Sequence, residues 1–235
     1  MFHNILENVY RRLIIESDAP NVPDSYAAFI SNIDSWTYCL IYDHEKLRDK
    51  IKISKKDLIL PPYKTCISDG TAIACIQFKK PYENCLDSLE VKLVGSLNRG
   101  SGGAAKLAYA IAYGLSPNEN IIPDRSQVLD PARKSWRQVK SRGDRKFVPL
   151  SSDRKSPAHC ELYGPDDPDS DVLDNAYYAQ GWESSVVDKL SSRHRDFLKS
   201  LEPHLSANPN LGQKLDNFFL YLVDDVFDAS IRKGL

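Results

Sequence analysis

The chain has 235 residues, 42% hydrophobic and 27% charged, a balance that fits a globular protein with one well-cored domain or a domain with an appendage. With 31 basic residues against 32 acidic ones the formal charge is −1, so the whole-chain electrostatics demand no nucleic-acid partner. Cys39, Cys66, Cys75, Cys85 and Cys160 form no C-x-x-C pair, which leaves no zinc site and reads as reduced thiols, and no apolar run approaches the ~18 residues of a membrane span.

In chain order, Phe2, Ile5, Leu6, Val9 and Leu13 recur at helical spacing and predict an amphipathic helix over residues 2–16. Its basic residues follow the apolar ones, and no small-residue cleavage site follows, unlike a secretory signal. "DAPNVPDS" (18–25) reads as a loop whose Asp24 or Ser25 caps a short helix toward Ile33. β-Branched and aromatic content predicts strands at 36–42, 71–79 and 87–95, with a short polar helix at 44–52. The turn-like "KPYENCL" joins the last two strands into an antiparallel hairpin. A glycine-rich turn leads into a helix over 102–113, and a short strand follows at 119–125. "DPARKSWRQVKSR" (130–142) opens with an N-cap and a proline at the first helical position, so it predicts a helix, ended by Gly143.

Residues 151–171 read as a long loop, and the tail as helices over 171–180, 183–202 and 211–232. In the last of these, Leu211, Leu215, Phe218, Phe219, Leu222, Val226 and Ile231 form one apolar stripe suited to the core or to a partner protein. The expected organisation is a core over 1–150, a linker over 151–170 and a helical extension over 171–235. Charge is unevenly spread. Residues 133–155 hold nine basic side chains, Arg133 and Lys155 at its ends, against Asp144 and Asp153, while 161–174 is acidic. The two segments read either as solvated and mutually neutralising or, for the basic one, as a nucleic-acid contact.

The least ordinary stretch is "LVGSLNRGSGGAAKLAYAIAYG" (93–114). A nucleotide-binding P-loop fails here, because Ser101 stands where lysine must reach the phosphates and Lys106 is not followed by Ser or Thr. The dinucleotide pattern G-x-G-x-x-A is met by Gly100, Gly102 and Ala105, but the preceding strand belongs to an antiparallel hairpin and no βαβ succession follows. Two readings remain. A helix N-terminus offers free N–H groups and partial positive charge, glycines let backbone close around phosphate oxygens, and Arg99 adds a fork of donors. Alternatively, the glycines and alanines let the helix lie close on a sheet.

The pattern R-x-x-G-x-A (Arg99, Gly102, Ala104) resembles the pyrophosphate loop of the GNAT superfamily of acyl-CoA-dependent N-acyltransferases, with the hairpin before it and the strand and helix after it, over about residues 70–148. D-R-x-x-V-x-x-x-A-x-x-x-W (Asp124, Arg125, Val128, Ala132, Trp136) is similar to a pattern of GNAT-like proteins encoded by bacteriophages. The resemblance implies an α/β fold, a mixed and largely antiparallel sheet flanked by helices. It implies acetyl-CoA or a related acyl-CoA as cofactor, its pyrophosphate held by Arg99 and the N–H groups of Gly100, Ser101, Gly102, Gly103 and Ala104. In that family the strand before the loop splays from the next, and the pantetheine arm lies in the gap. Val94 and Gly95 would then offer it backbone groups, and the N–H near Leu93 would polarise the thioester carbonyl. Glu90 and Asp124 are the candidate bases, with Arg125 and Ser126 at the same strand end.

Many GNAT enzymes protonate the leaving thiolate with a tyrosine in the last core helix, where this chain has Trp136; Ser126, Tyr109 or water would have to substitute. The competing expectation is therefore a degenerate GNAT-like domain acting as a structural or interaction protein, in a virion. Either reading implies a protein without a membrane anchor. The transferase would work in the cytoplasm of a cell, the host's if phage-encoded, on an amine of a protein, a small molecule or a nucleobase.

Overall fold

The computed structural model describes residues 20–54, 57–79, 88–97, 103–116, 120–123, 133, 136–137, 139–141, 145–150, 175–206 and 208–232. A seven-stranded sheet organises them. Its strands are β1 (Tyr26–Ile33), β2 (Trp36–Asp43), β5 (Ala72–Lys79), β6 (Ser88–Ser96), β7 (Asn120–Pro123), β8 (Phe147–Pro149) and β9 (Asn175–Tyr178). They lie in the order β1-β2-β5-β6-β7-β9-β8, and every pairing is antiparallel except β6 with β7. A separate two-stranded ribbon is made by β3 (Lys52–Ile53) and β4 (Leu58–Ile59). The helices are α1 (His44–Lys50), α2 (Tyr63–Ser68), α3 (Gly103–Leu115), α4 (Glu183–Leu205) and α5 (Pro209–Arg232), and helical residues also occur over 133–141. The fold is thus mixed α/β, with a mostly antiparallel sheet and C-terminal helices. No described helix is long and apolar enough to cross a membrane.

The sheet is buried on both faces, which explains why its strands carry runs of apolar residues. On one face Ala28, Cys39, Ile41, Ile76 and Phe78 pack against Leu107, Ala108 and Ile111 of α3. On the other, Ala27, Phe29, Leu40 and Tyr42 pack against Leu215, Phe218, Phe219 and Leu222 of α5. Helix α4 serves both. Its Val186, Val187 and Leu190 join the α3 side, whereas Phe197 and Leu201 join the α5 side. At 23 residues, a length of about 34 Å, it crosses the outer edge of β1 between those groups. There Arg193 donates to the carbonyls of Pro23 (2.7 Å) and Tyr26 (3.2 Å), so the strand edge is covered rather than open.

What fixes the start of α4 is a buried ion pair. Arg145 Nη1 lies 2.6 Å from Glu183 Oε1, with side chains only 9% and 1% exposed. The guanidinium sits 3.8 Å from the Tyr113 ring centroid and donates to the Tyr178 carbonyl. The Glu183 carboxylate also accepts from the backbone N–H groups of Gln180 and Gly181, which ties down the turn before the helix. Gly181 has φ +98°, a conformation that L side chains rarely adopt.

Several expectations are corrected. Residues 26–33, expected to be a short helix, form β1, because Ala27, Ala28 and Phe29 face alternate layers of a sheet buried on both sides. Residues 175–178, expected within a helix, form β9 inserted between β7 and β8, with Tyr177 stacked on Trp136 at 4.7 Å. The next helix begins at Glu183, as expected, and its Val186 and Phe197 pack into the two cores of the sheet. Ile231 leaves the apolar stripe of α5 and is 42% exposed, while Val223 and Ser230 are buried. The expected helix at 2–16 and the loop at 151–171 lie outside the described residues. Cys39, Cys66 and Cys75 are buried free thiols, and burial pushes the Cys66 and Cys75 thiols up to about 11 and about 12.

Two measurements test this packing. A Cβ on Gly114 would lie 2.5 Å from the Glu183 carbonyl oxygen and 2.6 Å from Val187 Cγ2, so Gly114→Ala should cost about 2–3 kcal/mol in urea unfolding by forcing α3 and α4 apart. The second concerns His194, whose Nδ1 is hydrogen-bonded to the Tyr42 hydroxyl (2.8 Å) inside a cluster with Phe29 and Phe219. Burial, aided by Arg195, lowers its pKa from 6.5 to about 4. The folded state therefore takes the proton less readily than the unfolded chain. Its contribution is present above pH 6.5 and lost as pH falls toward 4. Between pH 7 and 4 the wild type should lose about 3 kcal/mol more stability than His194→Gln, whose carboxamide can still hydrogen-bond Tyr42.

Candidate functional site

The site begins with the only parallel pair among the described strands. β6 and β7 run in register from Ser88↔Asn120 to Val91↔Pro123, and the buried Ser88 hydroxyl donates to Asn120 Oδ1 (2.6 Å) to pin the start. Val91↔Pro123 is the last described pair. β6 continues for five more residues, 92–96, held only by β5 among the described residues.

Just past its last described pair with β7, β6 carries a bulge. Gln77 of β5 pairs with Leu93 and the next residue, Phe78, pairs with Val91, so Lys92 is one residue too many. An extra residue reverses the facing of everything beyond it. Leu89 and Val91 pack on the α3 side. Beyond the bulge it is Val94 that packs there, and Gly95 turns to α5. A simple alternation that puts Leu89, Val91 and Leu93 on one face therefore does not hold past Lys92.

The ladder also decides which backbone groups are committed. The Leu97 N–H donates to the Ile73 carbonyl (3.0 Å), which makes Leu97, Gly95 and Leu93 the residues bonded to β5. The N–H and C=O groups of Val94 and Ser96 then point away from β5, toward the side on which β7 pairs with residues 88–91. The Leu93 N–H faces Gln77, so the backbone donors in this stretch that are not bonded to β5 are those of Val94 and Ser96.

Gly95 is buried, and its Cβ position is filled. An added Cβ would lie 3.0 Å from Cys75 Sγ and 3.1 Å from both Phe227 Cα and Ser230 Oγ. The missing side chain at this position serves the approach of α5. Gly103, first residue of α3, is different: an added Cβ would meet nothing within 4 Å, so packing gives no reason for a glycine there. Ala104, Ala108 and Ala112 supply the close approach of α3 to the sheet, and Gly114 its approach to α4. The two readings of the small-residue stretch thus separate along the helix, with packing at its C-terminal half and unexplained glycine at its start.

Glu90, paired in register with Ile122, lies on the face opposite α3 beside the small Ile122, Leu150 and Ala176 cluster. Its Oε1 is 2.7 Å from the Lys92 ammonium, and both side chains are less than one-fifth exposed. A carboxylate and an ammonium are thereby held beside the last described β6–β7 pairs. Pro123 lies opposite Val91, so the chain enters Asp124 from the same point. Arg99, Gly100, Ser101, Gly102, Asp124, Arg125 and Ser126 lie outside the described residues. Tyr109 and Trp136 meet edge to face (5.1 Å) on the α3 side of the sheet, where burial raises the pKa of the Tyr109 hydroxyl.

Lys92 is the feature that sequence reasoning missed. Its one signal is the break in alternation at the adjacent Leu93 and Val94. No group of His, Cys, Asp or Glu among the described residues is arranged to hold a metal. Comparisons of the chain with protein-family models, with curated proteins and with solved structures find no match.

The geometry around Gly95 gives a direct check. Gly95→Val should cost about 2–3 kcal/mol in thermal or urea unfolding, because the backbone of α5 must retreat, while Gly103→Ala should change stability by less than about 0.5 kcal/mol.

Proposed function

We propose that the chain is a GNAT-like acyltransferase that takes acetyl-CoA or a related acyl-CoA and delivers the acyl group to an amine. One observation carries the reading: past the bulge at Lys92 the Val94 and Ser96 backbone groups point away from β5, and no described residue pairs with them. A thioester arm lying along that edge would bond to Val94 and Ser96 as a further strand does. The start of α3 at Gly103, which packing does not explain, supports a pyrophosphate at the helix N-terminus, with Arg99 and the N–H groups of 100–104 as its ligands.

In this reading the amine attacks the thioester carbonyl, whose developing oxyanion is stabilised by backbone N–H at the gap. Glu90, on the opposite face and next to the bulge, takes the amine proton directly or through water, and Lys92 holds its carboxylate in place. Asp124, Arg125 and Ser126 follow β7 at the same strand end and are assigned to acceptor binding and to thiolate protonation. The basic segment 133–155 makes a nucleic-acid acceptor one of the classes to screen, with binding that falls steeply as salt rises.

A second reading, a degenerate domain with a structural role that includes a virion component, is favoured by the seating of α5 on Gly95. There the absent side chain serves a helix rather than a cofactor. Calorimetric titration of acetyl-CoA into the purified chain separates the two. Micromolar binding, weakened about tenfold or more in Arg99→Ala/Gly102→Val, is the expected result. No binding by the folded protein would leave the structural role.

A further inference from the structure

We propose that Lys92 is itself acylated, its side-chain amine serving as an internal acceptor for the acyl group of an acyl-CoA. This rests on the acyl-CoA reading and adds to it a modification site on the chain. Lys92 is the surplus residue of the β6 bulge, between Val91 and Leu93. An inserted residue of this kind re-aims a side chain, and bulges are common beside reacting centres. Val94, whose backbone groups point away from β5, is two residues further on, about 7 Å along the strand. A lysine side chain spans that distance.

An amine attacks a carbonyl only after it has lost its proton. The Lys92 ammonium already donates to Glu90 Oε1 at 2.7 Å, so the carboxylate assigned to deprotonate the acceptor is in contact with this amine before any other arrives. Both side chains are largely buried, which holds the pair together better than a surface ion pair. Position selects Lys92 over its neighbour. Lys79 of β5 is paired in register with Glu90, yet its ammonium sits over the Trp36 ring at 5.1 Å, toward β2.

The step balances without an oxidant or reductant. One proton of the Lys92 ammonium passes to the Glu90 carboxylate, and the freed electron pair forms the N–C bond to the thioester carbonyl carbon. The C–S bond breaks, and the second proton leaves the nitrogen for the CoA thiolate, directly or through water. The products are an amide at Lys92 and free CoA thiol, and Glu90 returns its proton to solvent. Acylation removes the Lys92 charge and with it the ion pair, so the base that a later amine meets is no longer held by this cation.

The test is incubation of the intact chain with acetyl-CoA, the acetylated fraction of each lysine being followed by mass spectrometry of chymotryptic peptides. Lys199, 72% exposed on α4, is the reference for uncatalysed transfer. In the folded chain Lys92 should acetylate about 100-fold faster than Lys199, and Glu90→Gln should remove most of that advantage. In urea the two lysines should react alike. A second readout involves no transfer: CoA, which carries no acyl group, should shield Lys92 but not Lys199 from acetic anhydride. Circular dichroism checks the fold of Glu90→Gln; if it does not fold, the wild-type ratio and the shielding decide. Equal rates at Lys92 and Lys199 in the folded chain, or an unchanged Lys92 rate in folded Glu90→Gln, overturns the proposal, and the acyl-CoA reading survives if calorimetry still shows acetyl-CoA bound. Absence of both acetyl-CoA binding and shielding removes that reading and this proposal with it.

Discussion

Arg145 and Glu183 stand far apart in the chain, and the architecture on either side depends on their meeting. The arginine leads into β8 and the glutamate opens α4, so the pair joins the far edge of the sheet to the helix that wraps its other edge. Burying two charges is costly, and such a pair seldom adds net stability over a well-packed apolar substitute. Its value lies in geometry. The carboxylate is shared between the guanidinium and the N–H groups of Gln180 and Gly181, and the guanidinium is shared between the carboxylate, the Tyr178 carbonyl and the Tyr113 ring. Few other placements of this turn satisfy all those groups at once. With it set, Gly114 meets the start of α4, and the helix leaves at the angle that carries it over β1.

From that exit angle follows the two-sided burial of the sheet. A helix that crosses an edge strand joins the two cores and removes the open edge in one step, and α5 then returns along the second face. Its C-terminal end reaches β6 at Gly95, so the scaffold that closes the core also forms one wall of the candidate site. Structure and site are therefore coupled through the packing of α5, not merely adjacent.

How much of this was legible varies with how local the signal is. The β5–β6 hairpin, α3, the short strand at β7 and the helices α4 and α5 followed from periodicity and end signals contained within each segment. β1 did not, because Ala27, Ala28 and Phe29 are buried on alternating faces of a two-sided sheet, and burial on both sides erases the alternation that marks a strand. β9 failed for a related reason: it is four residues long, and its neighbours β7 and β8 are supplied by distant parts of the chain. At the site, the strand end with Glu90 and Val94 was anticipated, but the bulge was hidden. The sequence "EVKLVG" reads as ordinary alternation until its last apolar pair, and only the partner strand reveals that a residue is surplus. The distinct reasons for Gly95, Gly103 and Gly114 likewise depend on what each one faces.

The surplus residue at Lys92 behaves like a shift of reading frame written into a strand. Upstream of it, odd-numbered residues look toward α3; downstream, even-numbered ones do. A sequence change that adds or removes one residue between Val91 and Gly95 would not simply shorten the strand. It would exchange the two faces beyond that point, turning Val94 toward α5 and the glycine toward α3. Point substitutions can accumulate along β6 one at a time, but its length here can change only in steps of two.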